Sequence, residues 1–165
     1  MIKVKRIDHV AIAVADRDEA AGRLRGVFQL GESAREHVAG QNTDVAFLDC
    51  DLDCDLDCEV RTGGATAIEL IAPAGNASLQ RFLDKRGPAL HHICFEVDDI
   101  DGALADLKAA GVPLIDDVAR PGARGHRVAF LHPAATGGVL FELCAPPAAH
   151  ADDTTKADAK AVLPS

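Results

Sequence analysis

The first candidates for chemistry are two histidines that occupy matching places in two similar segments. His92 lies in residues 90–97, LHHICFEV, where polar and apolar side chains alternate as in a half-buried β-strand. His9 occupies the matching place in residues 8–14, DHVAIAV, 83 residues earlier. A neutral imidazole can bind a metal ion through its unprotonated ring nitrogen. A single histidine on a strand usually has a structural role, but a repeated pair indicates a shared site.

Two glutamates form a second repeated pair. Glu69 is the only charged residue of IELIAP (68–73), and Glu142 is the only one of FELCAP (141–146). A buried carboxylate costs several kcal/mol unless it is paired or bound to a cation. The alternative is a salt bridge to a lysine or arginine, but neither segment has one nearby in sequence.

We predict one metal site formed by four residues, His9, Glu69, His92 and Glu142. Two neutral imidazoles and two carboxylates balance a divalent cation and leave two octahedral positions for substrate oxygens. These nitrogen and oxygen donors suit Co²⁺, Mn²⁺, Ni²⁺, Fe²⁺ or Zn²⁺. The four residues meet if two copies of one unit pack side by side about a pseudo-twofold axis.

The chain does contain two copies of one unit. VAFL occurs at residues 45–48 and again at 128–131, with the offset of 83 that separates the histidines, but the glutamate segments are offset by 73. The difference falls in a stretch that only the first copy has, LDCDLDCDLDCEV. We therefore predict a first module over residues 1–75 with a hairpin arm at 48–61, a linker helix over 76–89, a second module over 90–146 and a disordered tail over 147–165.

The predicted arm has an unusual alternation of Asp and Cys, but neither metal interpretation of it is strong. Its C-x3-C-x3-C spacing matches no zinc pattern. Its aspartates imitate the start of a calcium loop but lack the glycine that the sharp turn of such a loop needs. An arm without chemistry is the preferred interpretation.

Local signals place the helices. Asp16, with Glu19 three residues later, predicts a capped helix that runs through Leu30 and stops at Gly31. Its predicted buried face consists of Ala20, Leu24, Val27 and Phe28. Asn76 predicts the cap of the linker helix, and the residues predicted to point inward from it are Leu79, Phe82 and Leu83.

Strands and a third helix complete the predicted order of elements. Residues 32–42 could form a strand or a loop. The remaining elements are predicted as strands over residues 7–14, 45–48, 65–71, 90–97, 113–115, 128–131 and 139–144, and a helix over 100–110.

Composition and charge exclude several classes of partner. The net charge of −9 argues against nucleic acid and anionic membranes, whose phosphates would be repelled. No apolar run approaches the roughly 18 residues of a membrane span, and MIKVKRIDHV lacks the apolar core of a signal peptide. Five cysteines without a secretory signal suggest reduced thiols, so we predict a cytoplasmic protein.

Residues 7–143 also contain five recognisable segments: DHVAIAV, ELIAP, RGPALHHICFEVDDI, RPGARGHRVAFLHP and TGGVLFEL. Together they resemble the methylmalonyl-CoA epimerase family of the vicinal-oxygen-chelate (glyoxalase) superfamily. The resemblance implies an α+β fold of two tandem βαβββ modules that form one metal-centred domain, and it implies a homodimer. It also implies a bound divalent ion, with cobalt as the first expectation, on the four residues already identified from the repeat.

The implied reaction is a 1,1-proton transfer that interconverts the (R) and (S) forms of an acyl-CoA thioester, methylmalonyl-CoA. Its C2 proton lies between a thioester and a carboxylate, and a cation would stabilise the charge that develops when the proton leaves. Epimerisation needs a base on each face, and the resemblance makes Glu142 one candidate. His91 is interpreted as a structural residue on the opposite face of its strand.

The sequence departs from the family at two places. Some members have a glutamate near the start of the third strand as a base, whereas this chain has Val45 there and Asp44 is expected to point to the other face. Ala134 stands where a lysine often follows the His-Pro pair. These departures bear on the substrate more than on the metal.

Three other functions are compatible with parts of this pattern. A lactoylglutathione lyase, or another metal-dependent isomerase or lyase of the superfamily, could use the same four ligands. An extradiol-type dioxygenase would use two histidines and one carboxylate around iron, which leaves one glutamate surplus. A metal-free binding protein of the same fold, such as a resistance protein, would need none of the four.

Overall fold

The computed structural model describes residues 2–49 and 66–147, which form one eight-stranded sheet and three helices. The predicted arm at 48–61 and the predicted tail at 147–165 lie almost entirely outside the described residues. The strands are β1 (Val4–Ala13), β2 (Gly31–Val38), β3 (Thr43–Asp49), β4 (Ala67–Pro73), β5 (Ala89–Val97), β6 (Arg120–Pro121), β7 (Arg127–Leu131) and β8 (Phe141–Ala145). The helices are α1 (Arg17–Phe28), α2 (Ala77–Arg86) and α3 (Ile100–Ala109).

The sheet has the same order on both sides of a central seam. Strands β1 and β5 pair antiparallel at its centre, and each lies parallel to the last strand of its own half, β4 or β8. The other strands follow outward, which gives β2-β3-β4-β1-β5-β8-β7-β6. The α+β fold of two βαβββ modules is therefore confirmed, whereas the exact module boundaries remain a prediction.

Helix α1 begins as predicted but ends earlier. The Asp16 carboxylate accepts hydrogen bonds from the backbone N–H groups of Asp18 and Glu19. The predicted stop at Gly31 is wrong, because the left-handed conformation that closes the helix is adopted by Gln29, with φ of 56°. Gly31 instead opens strand β2, so the polar stretch that follows is largely a strand.

The predicted buried face of α1 is only half correct. Ala20 and Leu24 pack with buried Ala21 against a core cluster that contains Leu48 and Leu70. The prediction is wrong for the last turn, where Val27 and Phe28 are 67% and 64% exposed. The helix therefore packs on the sheet through its first two turns, and its apolar end remains at the surface.

Helices α2 and α3 match their predictions. Asn76 caps α2 by accepting from the N–H groups of Ser78 and Leu79, and Leu79 and Leu83 are buried. Helix α3 buries Ile100, Ala103, Leu104 and Leu107. None of the helices in the described part of the chain is long and apolar enough to cross a membrane.

The predicted strand at 113–115 is wrong. This segment makes only an isolated bridge between Leu114 and Leu131. The N–H groups of Ile115 and Asp116 both donate to the carbonyl of Phe130, and Pro113 has no N–H to offer. The outermost strand is instead the two-residue β6.

Candidate metal centre

The four predicted ligands lie on the four central strands of the sheet. His9 is on β1, Glu69 on β4, His92 on β5 and Glu142 on β8. The strands are neighbours in the order β4-β1-β5-β8, and all four side chains point into one buried cluster. The parallel pairing within each half places a glutamate one strand away from its own histidine.

The ligand atoms converge to the spacing that a metal ion requires. His9 Nε2 lies 3.3 Å from His92 Nε2 and 3.3 Å from Glu69 Oε2. His92 Nε2 lies 3.6 Å from Glu69 Oε2 and 3.2 Å from Glu142 Oε2. Adjacent ligands around an octahedral ion with bonds of about 2.1 Å are about 3 Å apart. The donor set therefore fits a divalent cation.

The alternative of a lysine or arginine salt bridge is not found among the described residues, where both glutamates form ion pairs with histidines alone. Burial by itself lowers the pKa of His9, but hydrogen bonds to Asp8 and Glu69 outweigh it and raise that pKa to about 10. Burial raises the pKa of Glu142, but the hydrogen bond and charge of His92 outweigh it and lower that pKa. The carboxylates thus attract positive charge to this point.

The pairing of β1 with β5 has three register shifts, and two of them lie at the site. Ile7 pairs with Phe95 and His9 with Cys94, so Asp8 is an extra residue in β1. The bulge brings Asp8 Oδ2 to 2.9 Å from Nδ1 of His9, the ring nitrogen opposite the one that faces the cluster. Asp8 is itself completely buried on its side chain and is also bound by Arg6.

The second bulge lies at His91, because Ala11 pairs with His92 and the next residue of β1, Ile12, pairs with Leu90. Its Nδ1 lies 2.9 Å from Nδ1 of His92, and its ring lines the same cavity as the four ligands. The prediction that His91 faces away is therefore wrong. The alternation of side chains between the two faces of β5 fails here, because the extra residue in the strand reverses the faces of the residues before it.

The cavity above the four ligands agrees with two further expectations. Val45 lines it from β3, where some family members carry a glutamate. Asp44 faces away and pairs with His37 through a 2.8 Å contact between Oδ1 and Nδ1. No acidic side chain from the start of β3 therefore reaches the cavity.

Sequence reasoning missed the loop between β6 and β7, which places Arg124 against the first module. The Arg124 N–H donates to Glu36 Oε1 at 2.6 Å, and its guanidinium donates to Asp8. The guanidinium carbon also lies 4.0 Å from the centroid of the Phe47 ring, which is edge-on to His9. The repeat of VAFL, which makes Phe47 equivalent to Phe130, was the available signal for this packing.

Two thiols beside the site were also not predicted, and one of them, Cys144, lines the cavity. Cys94 is fully buried, and its Sγ lies 3.7 Å from Glu142 Oε1. Burial raises the pKa of the Cys94 thiol. The hydrogen bond from Cys94 lowers the pKa of Cys144 to about 7. Cys94 Sγ therefore lies within reach of both Cys144 and Glu142, and its single S–H can donate to only one of them at a time.

Comparison with known proteins agrees with this geometry. Residues 8–130 match the model of the Glyoxalase/Bleomycin resistance protein/Dioxygenase superfamily. The mitochondrial methylmalonyl-CoA epimerase of Mus musculus is 38% identical over 143 residues, which are 86% of this chain and 73% of the mouse protein. The chain belongs to the methylmalonyl-CoA epimerase family. It is therefore an isomerase of the racemase and epimerase class.

Two other members of the epimerase family are informative. The ethylmalonyl-CoA/methylmalonyl-CoA epimerase of Cereibacter sphaeroides is 36% identical over 144 residues, which are 85% of this chain and 97% of that protein. A single-residue variant of the Streptomyces coelicolor methylmalonyl-CoA epimerase, solved with 2-nitronate-propionyl-CoA, superimposes with a TM-score of 0.78 at 32% identity and covers 88% of this chain and 97% of its own. That enzyme therefore binds an acyl-CoA compound on the same fold.

Proposed function

We propose that this protein interconverts (R)- and (S)-methylmalonyl-CoA by moving the C2 proton, with a divalent metal ion on His9, Glu69, His92 and Glu142. The observation that supports the proposal best is that these four buried ligands, two from each module, form one cluster in which each ligand atom lies 3.2 or 3.3 Å from its nearest neighbour in the set. When bound, the ion would supply Lewis-acid stabilisation of the negative charge that develops as the proton leaves. Cobalt is the first expectation for the metal.

Glu142 is the proposed base on one face of the substrate. It lines the cavity, and among the described residues its oxygens contact the side chains of His92 and Cys94. Because no lysine or arginine among the described residues forms a salt bridge with it, Glu142 can accept a proton from carbon without breaking such a pair. Because Val45 replaces the glutamate of some members, the proposal assigns no side chain to the opposite face.

A second substrate is favoured by the relative from Cereibacter sphaeroides, whose name includes ethylmalonyl-CoA as well as methylmalonyl-CoA. The two acyl groups differ by one methylene, which a hydrophobic pocket discriminates weakly, by about 10- to 200-fold. We therefore include ethylmalonyl-CoA as a second candidate. The homodimer implied by the resemblance and the cytoplasmic location inferred from composition remain predictions.

The test follows the C2 hydrogen. Metal-loaded protein is incubated with (R)-methylmalonyl-CoA in deuterated water, and both the loss of the C2 proton and the appearance of the (S) form are measured. We expect deuterium at C2 in step with epimerisation. Ethylmalonyl-CoA and the hemithioacetal of methylglyoxal and glutathione serve as comparison substrates. Absence of C2 exchange together with conversion of the hemithioacetal to lactoylglutathione would replace the proposal with a lyase of the same superfamily.

A further inference from the structure

Two arginines of the second module line the cavity, Arg120 on β6 and Arg124 in the loop that follows it, and each lies over a phenylalanine. The guanidinium carbon of Arg120 is 5.5 Å from the centroid of Phe130, and that of Arg124 is 4.0 Å from the centroid of Phe47. Phe130 is edge-on to His92 at 5.1 Å between centroids, and Phe47 is edge-on to His9 at 5.5 Å. Each arginine is therefore one aromatic ring away from a histidine of the metal centre.

The charges around the cavity favour an anionic ligand. Within the described part of the chain, the only acidic side chains that line it are Glu69 and Glu142. A divalent cation on the four ligands would balance both of them. The positive charges that line the cavity would then be those of Arg120 and Arg124, each of which has a carboxylate partner outside the lining. A positive charge that is only partly matched in a cavity attracts anions.

The two arginines differ in how much of their charge is already matched. Arg124 is held by the buried carboxylate of Asp8, and its backbone N–H is fixed by Glu36. Its position is therefore part of the scaffold around His9.

Arg120 is less constrained. Only its Nε contacts a carboxylate, Asp116 Oδ1 at a long 3.3 Å, and the other oxygen of Asp116 is occupied by the N–H of Phe130. Its side chain is 34% exposed, and its two terminal NH2 groups make no hydrogen bond to any residue that the structure describes. They are available to a ligand.

We propose that Arg120 binds the free carboxylate of a malonyl-type acyl-CoA and thereby selects such thioesters over simple acyl-CoAs. The inference rests on the proposed function, because it takes the acyl end of the substrate to lie at the metal centre. A guanidinium presents parallel N–H groups that match the two oxygens of a carboxylate. A simple acyl-CoA has no group to fill this position, so it gains nothing from Arg120.

The test compares two ligands that differ in this carboxylate. Dissociation constants of malonyl-CoA and propionyl-CoA are measured by calorimetry on metal-loaded wild type, R120M and R127M, with the metal content of each determined. Arg127 is the matched control, because it pairs with exposed Asp101 and does not line the cavity. Loss of a charged hydrogen bond should weaken malonyl-CoA binding to R120M by about 10- to 100-fold. Propionyl-CoA binding should change less than about twofold, and R127M should bind both ligands normally.

Two results would overturn the role of Arg120 alone. If R120M weakens both ligands equally, Arg120 contacts their common CoA part, and if it weakens neither, it contacts no ligand. In either case wild type would still prefer malonyl-CoA. Wild type that binds neither thioester would contradict the proposed function as well. R120K retains the positive charge but lacks the paired N–H groups of the guanidinium, so it should recover part of the preference for malonyl-CoA over propionyl-CoA. It replaces R120M in the comparison if R120M binds metal poorly.

Discussion

The two modules place different residues beside their metal-site histidines. In the first module, the residue at the bulge is Asp8, and its buried carboxylate contacts Nδ1 of His9. In the second module, the equivalent residue is His91, which contacts Nδ1 of His92 and lies edge-on to Phe82 at 4.9 Å between ring centroids. Both modules have a β-bulge immediately before the ligand histidine, but only the first module has a charged acceptor there.

This difference predicts that His9 is oriented more firmly as a metal ligand than His92. A carboxylate that accepts the Nδ1 proton of His9 fixes the tautomer that leaves Nε2 free for the metal, and it makes the imidazole a stronger donor. His91 can do the same for His92 only as a neutral acceptor. Burial and the neighbouring His92 lower the pKa of His91 to about 4, so it is neutral near pH 7. The first module should therefore hold its ligand more firmly.

Removing a ligand histidine should have the largest effect and should erase the difference between the modules. We expect H9A and H92A each to lose most of the bound metal and nearly all turnover, because each removes a nitrogen that no other residue replaces. Metal is measured by elemental analysis after reconstitution with cobalt. H37A, which changes an exposed histidine paired with Asp44, is the control. Wild type that takes up no metal under these conditions would contradict the site itself.

Substitution of Glu69 and of Glu142 should have similar effects on metal binding but different effects on C2 exchange. E142Q keeps shape but removes the proposed base, so C2 exchange should fall by about 10²- to 10⁴-fold. E69Q removes the same ligand charge without removing the base, and at saturating metal its loss should be smaller. The measurement is deuterium exchange of methylmalonyl-CoA. Equal losses in both variants would show that Glu142 acts as a ligand alone.

The ligand set could be predicted because a repeat leaves a strong signal: one acid in each apolar strand and one histidine at the same offset. The bulges could not, since an extra residue has no mark in a sequence that alternates on either side of it. His91 was therefore assigned to the wrong face, and Asp8 was not recognised as a partner of His9.

The arginines were missed for a different reason. Arg124 reaches Asp8 only when the second module packs against the first, and the sequence distance of 116 residues hides the contact. Helix α1 has a related explanation within its own module. Its pattern predicts an apolar face over its whole length, but the strands beneath it cover only the first two turns. Packing between elements decides both features, and local periodicity does not contain it.

Changing the bulge residues should sharpen the comparison with a smaller effect. D8N removes the charge beside His9 and leaves Arg6 and Arg124 without their shared carboxylate, so we expect metal affinity to fall by about 10- to 100-fold. H91Q replaces one neutral group with another and should cost less than about tenfold. Affinities are measured by competition with a chelating indicator, with D44N as the control. A larger loss in H91Q than in D8N would reverse the ranking of the two modules.

The last comparison concerns stability and the helix on each half of the sheet, and it contains the smallest expected effect, that of F28A. Leu104 of α3 is 3% exposed, so L104A should cost about 2–5 kcal/mol in the free energy of unfolding. Phe28 of α1 is 64% exposed, so F28A should change it by less than about 0.5 kcal/mol. Urea denaturation of the metal-loaded variants, carried out at two protein concentrations, measures both changes in the free energy of unfolding. A loss above about 1 kcal/mol in F28A that shrinks on dilution of the protein would mean that a second copy of the chain covers this surface, because an exposed side chain contributes this much only when association buries it.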